Sequence, residues 1–247
     1  MWRNKNKMLK RNFVFVSIIS SGILLSLFVY GGIFKKRVRL EPKISVDQIG
    51  QNYVILPEPR SQSGVSIEEA ILHRRSRRLY KQKPITLGQL SQVLWAAQGI
   101  TGQIDGYKLR AAPSAGALYP IEIYIVLPKG VYHYLPQEHG LEKVKDGNLL
   151  SALAKAALDQ RWIKEASCDI VITAVYERTM AKYGQRGPKY AIMEAGAVAE
   201  NIYLQGESLG LGTVSVGAFM DEAVQEVLGI SEDRRPLFIM PLGYPLE

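Results

Sequence analysis

Apolar and polar positions fall into regular patterns along much of the chain. Behind Ser66-Ile67-Glu68-Glu69, which has the S-x-x-E form of a capping box, Ile67, Ala70 and Ile71 recur at helical spacing, predicting a helix that ends at Arg74 and Arg75. Thr86-Leu87-Gly88-Gln89 opens a second helix in the same way, with Leu90, Val93, Leu94 and Ala97 on one face and Gly99 as its stop. From Ile121 to Leu127 the period changes to two, with Ile121, Ile123, Ile125 and Leu127 sharing one face of a strand. Val131 to Leu135, beyond Gly130, is its expected hairpin neighbour. Asn148 is placed to cap a helix through about Leu158, Asp169 to Tyr176 reads as a buried strand, and Lys189 to Leu209 as the longest helix. Val214–Val216 and Leu237–Leu242 add strands around a short helix capped by Asp221. Helices and strands mix without a regular βαβ repeat, so the pattern predicts an α+β fold with a largely antiparallel central sheet flanked by helices.

Ahead of these elements, Phe13 to Phe34 is a 22-residue run without a charge. At about 1.5 Å per residue, a helix of that length crosses a hydrocarbon core of about 30 Å, so residues 13–34 are expected to be a membrane span, with an export signal as the other reading. Arg3, Lys5, Lys7, Lys10 and Arg11 precede the run and Lys35, Lys36, Arg37 and Arg39 follow it, which leaves the side of the membrane open. Residues 35–65 contain Pro42, Pro57, Pro59 and Ser61-Gln62-Ser63-Gly64 and read as a linker. The expected organisation is a leader with an anchor over 1–34, a linker over 35–65 and a catalytic domain over 66–247.

Charge changes the picture only after it is divided. The net charge is +8, but residues 1–43 hold ten of the 31 basic residues and one of the 23 acidic ones, so the remainder is close to neutral. A folded nucleic-acid-binding face, which needs local positive excess, is not expected. Cys168 is the single cysteine, which excludes an intrachain disulfide, a CxxC pair and a cysteine-ligated iron–sulfur cluster. His73, His133 and His139 have no metal-ligand spacing, and no metal is expected. Neither a Walker loop nor a G-x-G-x-x-G after a strand is present.

Two segments carry candidate chemistry. Arg74-Arg75-Ser76-Arg77-Arg78 brings four guanidinium groups to one turn, which suits a phosphate dianion and equally a solvated basic edge. Pro113-Ser114-Ala115-Gly116-Ala117-Leu118-Tyr119-Pro120 sets small residues between prolines just before a strand, allowing the backbone close to a planar ligand or simply forming a tight turn.

Taken in order, R-R-S-x-R, Trp95 to Thr101 (W-A-A-Q-G-I-T) and Pro113 to Tyr124 (P-S-A-G-A-L-Y-P-I-E-I-Y) resemble the azoline dehydrogenase (SagB/thiazole-oxidase) branch of the FMN-dependent nitroreductase superfamily. Gly130 to Tyr134, Lys182 to Arg186 (K-Y-G-x-R), Tyr190 to Gly196, Glu200 to Gln205 and Leu209 to Gly212 continue the match, which spans Ser66 to Pro245. The resemblance implies a nitroreductase-like homodimer with two sites at the interface. It implies that Arg74, Arg75, Ser76 and Arg78 hold the FMN phosphate and ring edge, and that Pro113, Ser114 and Ala115 meet the flavin from the other subunit. Val214, Ser215, Val216 and Gly217 would cover one flavin face through their backbone. Glu194 and Asn201 lie seven residues apart, two turns along one helix face, and could serve the flavin or a dimer seam. A Lys-Tyr pair at the place of Lys182 and Tyr183 is the proposed acid–base element of azoline-oxidising relatives. One departure is the C-terminus: relatives commonly end in a basic arm on the phosphate, and here either Arg234 or Arg235 substitutes or FMN is held less tightly.

The expected function is therefore an FMN-dependent dehydrogenase passing hydride between flavin and a small-molecule or peptide-borne heterocycle, with Lys182 or Tyr183 handling the proton. The nearest alternative is an NAD(P)H-dependent nitro or quinone reductase, which needs no substrate base. A membrane-tethered flavin-binding partner without turnover is the third.

Overall fold

The computed structural model describes residues 18–20, 23–30 and 33–246, with side chains from residue 38 onward. Its strands are β1 (Ile18–Ser20), β2 (Ile23–Tyr30), β3 (Ile33–Leu40), β4 (Tyr53–Ile55), β5 (Ile100–Ile104) and β6 (Tyr107–Arg110), followed by β7 (Ile121–Leu127) and β8 (Gly130–Leu135). Then come β9 (Gly140–Asp146), β10 (Cys168–Val175), β11 (Gly212–Thr213) and β12 (Arg234–Gly243). The helices are α1 (Ile67–His73), α2 (Leu87–Gln98), α3 (Leu150–Ala156), α4 (Arg161–Glu165), α5 (Tyr176–Tyr183), α6 (Gly187–Ser208) and α7 (Asp221–Leu228).

Among the described residues ten strands form one sheet in the order β1-β2-β3-β4-β9-β8-β7-β10-β12-β11. Every pairing but β3 with β4 is antiparallel, as the pattern predicts. The alternation along β7 and β10 divides the core. Ile121, Ile123, Ile125 and Leu127 join Cys168, Ile170, Ile172 and Ala174 under α2 and α6, while Tyr124, Val126 and Val171 face α3, α4 and α7.

Local signals set the helix ends. Ser66 accepts from the Glu69 amide, and Thr86 with Gln89 forms a reciprocal capping box before Gly99 closes α2. Thr86→Ala is expected to cost about 1 kcal/mol by freeing the Gln89 amide at the start of α2. Urea denaturation measures it, and an unchanged midpoint would show that the cap contributes nothing.

Two expectations for the N-terminal third are corrected. The transmembrane anchor over residues 13–34 is contradicted: where that run is described it forms β1, β2 and the start of β3 in antiparallel register. No helix among the described residues is long and apolar enough to cross a membrane. Hydropathy counts apolar residues without their period, and Ile23-Leu24-Leu25-Ser26-Leu27-Phe28-Val29-Tyr30 suits a strand as readily as a helix. The membrane localisation and the tethered-partner reading lose their premise with it. Residues 1–17, 21–22 and 31–32, including the basic residues Arg3 to Arg11, lie outside the described residues.

Residues 35–65, expected as a linker, enter the fold from Val38 onward. Val38 pairs in parallel with Val54, Val54 pairs with Leu141, and Val38, Leu40, Val46, Ile49, Val54 and Leu56 are all core residues. A three-residue strand such as β4 is too short to display a period, and its partners lie far away in sequence. The strand expected over Val214–Val216 is displaced to Gly212–Thr213, with Val216 bridging Ile239.

Candidate active site

The basic turn is built where α1 stops. Arg74 is the C-cap of α1, and Arg75 donates from Nη1 to the carbonyls of Leu72 (3.1 Å) and Arg74 (2.7 Å), satisfying acceptors the helix end leaves open. Ser76 then bridges Thr213 in parallel, and the Arg77 amide donates to the Thr213 carbonyl at 2.8 Å, fixing the turn to β11. On α6, Tyr203 links the two segments: its hydroxyl lies 3.2 Å from Ser76 Oγ, accepts from the Ser215 amide at 2.7 Å and donates to Ser215 Oγ at 3.3 Å. The Arg74 guanidinium stands 5.2 Å from the centre of the Tyr203 ring and 3.8 Å from Glu200. Arg78 lies over Trp162, 5.7 Å from its ring centre. Val214 and Val216 bury their side chains in the core under α3 and α7, and the exposed Gly217 follows.

A second group forms around the Pro113–Tyr119 loop. Gly116, Ala117 and Tyr119 all have positive φ (62°, 54° and 48°), a course that two non-glycine residues adopt at a conformational cost. A Cβ on Gly116 would lie 2.8 Å from Tyr183 Oη and 3.0 Å from Lys182 Nζ, so the loop and the end of α5 meet at glycine. Lys182 is exposed, its Nζ 5.6 Å from the Tyr183 ring centre, and Tyr183 packs edge-on against Tyr190 at 4.9 Å. Gly187 makes this end possible: a Cβ there would sit 2.6 Å from the Met180 backbone nitrogen, so only glycine lets α6 leave so close to α5.

Pro113, Ser114 and Ala115 line a cavity of about 330 Å³ with Tyr190, Met193, Glu194 and Ala197. Glu194 is 4% exposed; burial pushes its carboxyl up, against hydrogen bonds from Ser114 and Gln98 and the charges of Arg110 and Arg178. Gln98 donates to Glu194 at 3.4 Å and accepts from Arg110 at 3.0 Å.

Sequence-predicted residues thus fall into two groups, Arg74, Ser76 and Val214–Gly217 in one, and Pro113–Ala115, Glu194, Lys182 and Tyr183 in the other. Along α6, Glu194 and Tyr203 are nine residues apart, or roughly 13 Å. Asn201 joins neither. Its amide donates to the Ala96 carbonyl at 2.9 Å, tying α6 to α2 beside a separate cleft lined by residues 60–63, Trp95 and Gln205. Arg234 is engaged with Asp233 and Ser231. In the sequence Tyr203 is marked only by its place in the E-N-I-Y-L-Q motif, and Arg178 only as a cation four residues before Lys182.

The fold aligns with a nitroreductase structure from Ralstonia eutropha JMP134 at TM-score 0.72 and 31% identity, over 84% of this chain and 96% of that one. This defines the class as the nitroreductase fold. Residues 71–244 match the nitroreductase family, and the chain belongs to it. It is 45% identical over 189 residues to a nitroreductase of Methanocaldococcus jannaschii, covering 74% of this chain and 93% of that protein. It is 28% identical over 146 residues to the microcin B17-processing protein McbC of Escherichia coli, 54% of each chain. The protein is accordingly an oxidoreductase of this family.

Proposed function

We propose that this chain is an FMN-dependent dehydrogenase of the azoline-oxidising branch, working as a homodimer on a small or peptide-borne heterocycle. The observation that carries the reading is the close approach of Lys182 Nζ and Tyr183 Oη to Gly116, where an added Cβ would lie 3.0 and 2.8 Å from them, which brings an amine and a phenol to the small-residue loop. The likeness to the microcin B17-processing protein supports the same branch.

The residues present fit the flavin. Arg74 and Arg78 with Ser76 offer charge-assisted and neutral donors to a phosphate, and the buried side chains of Val214 and Val216 leave the intervening main chain to face a ring. Bound FMN supplies hydride chemistry. Oxidation of a carbon centre also releases a proton, and Lys182 or Tyr183 takes it up. The two groups belong to neighbouring copies of the chain. Ile67, Ile71 and Leu72 on α1 and Ile192 and Met193 on α6 are each more than half exposed, an apolar surface that a second copy would cover.

The purified protein is expected to be a dimer carrying one FMN per chain, measured by light scattering and by chromatography of the flavin released on denaturation. A flavin-free monomer in excess FMN would overturn the reading. The second reading, an NAD(P)H-dependent nitro or quinone reductase, is favoured by the likeness to the Methanocaldococcus protein. NADPH-driven reduction of menadione with no oxidation of any azoline would select it.

A further inference from the structure

Tyr119 is held at each of its polar positions. Its amide donates to Ser114 Oγ at 2.9 Å, its hydroxyl accepts from the Arg110 amide at 3.1 Å, and its carbonyl accepts from Arg178 Nη1 at 2.9 Å. A non-glycine residue at φ 48° persists only where its surroundings over-determine it, and here three tethers do so. Of the three, Arg178 is the tether that ties the loop to a helix. It sits on α5 one turn before Lys182, and its Nη2 pairs with the Glu122 carboxylate on β7. Glu122 is fixed in turn by His133, 2.6 Å away and stacked on Tyr124. Burial would raise the Glu122 carboxyl, but the His133 hydrogen bond and the Arg178 charge outweigh it and hold it below the ordinary carboxylate range.

We infer that Arg178 is a positioning residue for the proposed reaction. By bridging the Tyr119 carbonyl to Glu122 it locks the strained loop to α5, so that Gly116 stays against Lys182 and Tyr183. This rests on the reading of that pair as the proton-handling groups. Arginine is required because one planar fork serves both acceptors; lysine keeps the charge but cannot hold both in that geometry. Glu122 acts through Arg178, and His133 through Glu122.

The test is Arg178→Lys in the full chain, with Glu122→Gln as a second variant should the first fail to fold. A fluorine label on the Tyr183 ring reports its packing by NMR without any turnover. A synthetic peptide thiazoline is the substrate probe, and menadione with NADPH the control. Either variant is expected to shift the fluorine resonance and to lower thiazoline kcat about tenfold, with KM and menadione reduction within about twofold. An unmoved resonance in a folded variant overturns the inference, as does an equal loss of both activities alongside a lowered thermal midpoint. Should the unsubstituted protein leave the thiazoline unchanged, the proposed function fails, and the fluorine shift still decides whether Arg178 sets the loop.

Discussion

Lys182→Ala or Tyr183→Phe is expected to lower oxidation of a peptide-borne thiazoline by about a hundredfold while leaving FMN content unchanged, since loss of a positioned acid or base typically has that size. Lys182 and Tyr183 lie at the end of α5, held there by the backbone approach at Gly187, and both reach Gly116 in the loop expected to meet the flavin. Neither belongs to the group around Arg74, so the phosphate end is untouched by the change. Reduction of menadione, which removes no proton from a substrate carbon, should stay near the unsubstituted rate. Gly116→Ala should resemble the pair in this contrast, because its methyl group would displace both side-chain tips. Equal losses in the two assays would assign the pair a structural role, and no loss in either would remove it from the mechanism.

Arg74→Ala is expected to weaken FMN binding about ten- to a hundredfold, the loss of one charge-assisted hydrogen bond worth about 1.5–3 kcal/mol. Arg75→Ala should weaken it less. Although adjacent, Arg75 already donates to the Leu72 and Arg74 carbonyls at the end of α1, whereas Arg74 meets Tyr203 in the group with Ser76 and Ser215. Fluorescence titration of FMN into the apoprotein measures both constants. An unchanged constant for Arg74→Ala, or a larger loss for Arg75→Ala, would refute the assignment.

What could be read along the chain was whatever local chemistry decides. The caps at Ser66 and Thr86, the stop at Gly99 and the alternation from Ile121 to Leu127 involve partners a few residues apart, and each recurs in the fold. The apolar run near the N-terminus misled for a different reason. Its described residues form consecutive antiparallel strands, and a count of apolar positions does not separate a strand from a helix.

The site divides in the same way. The sequence by itself determined the chemical inventory: the arginine turn, the small-residue loop, the Lys-Tyr pair and the α+β class. Only the tertiary structure decided which of these meet. It set Asn201 against the Ala96 carbonyl rather than in either group, brought Tyr203 between Ser76 and Ser215, and connected Tyr119 through Arg178 to Glu122 and His133. Those contacts join residues 11 to 127 positions apart, and their geometry follows from the packing of α5 and α6 on the sheet, which no local pattern encodes.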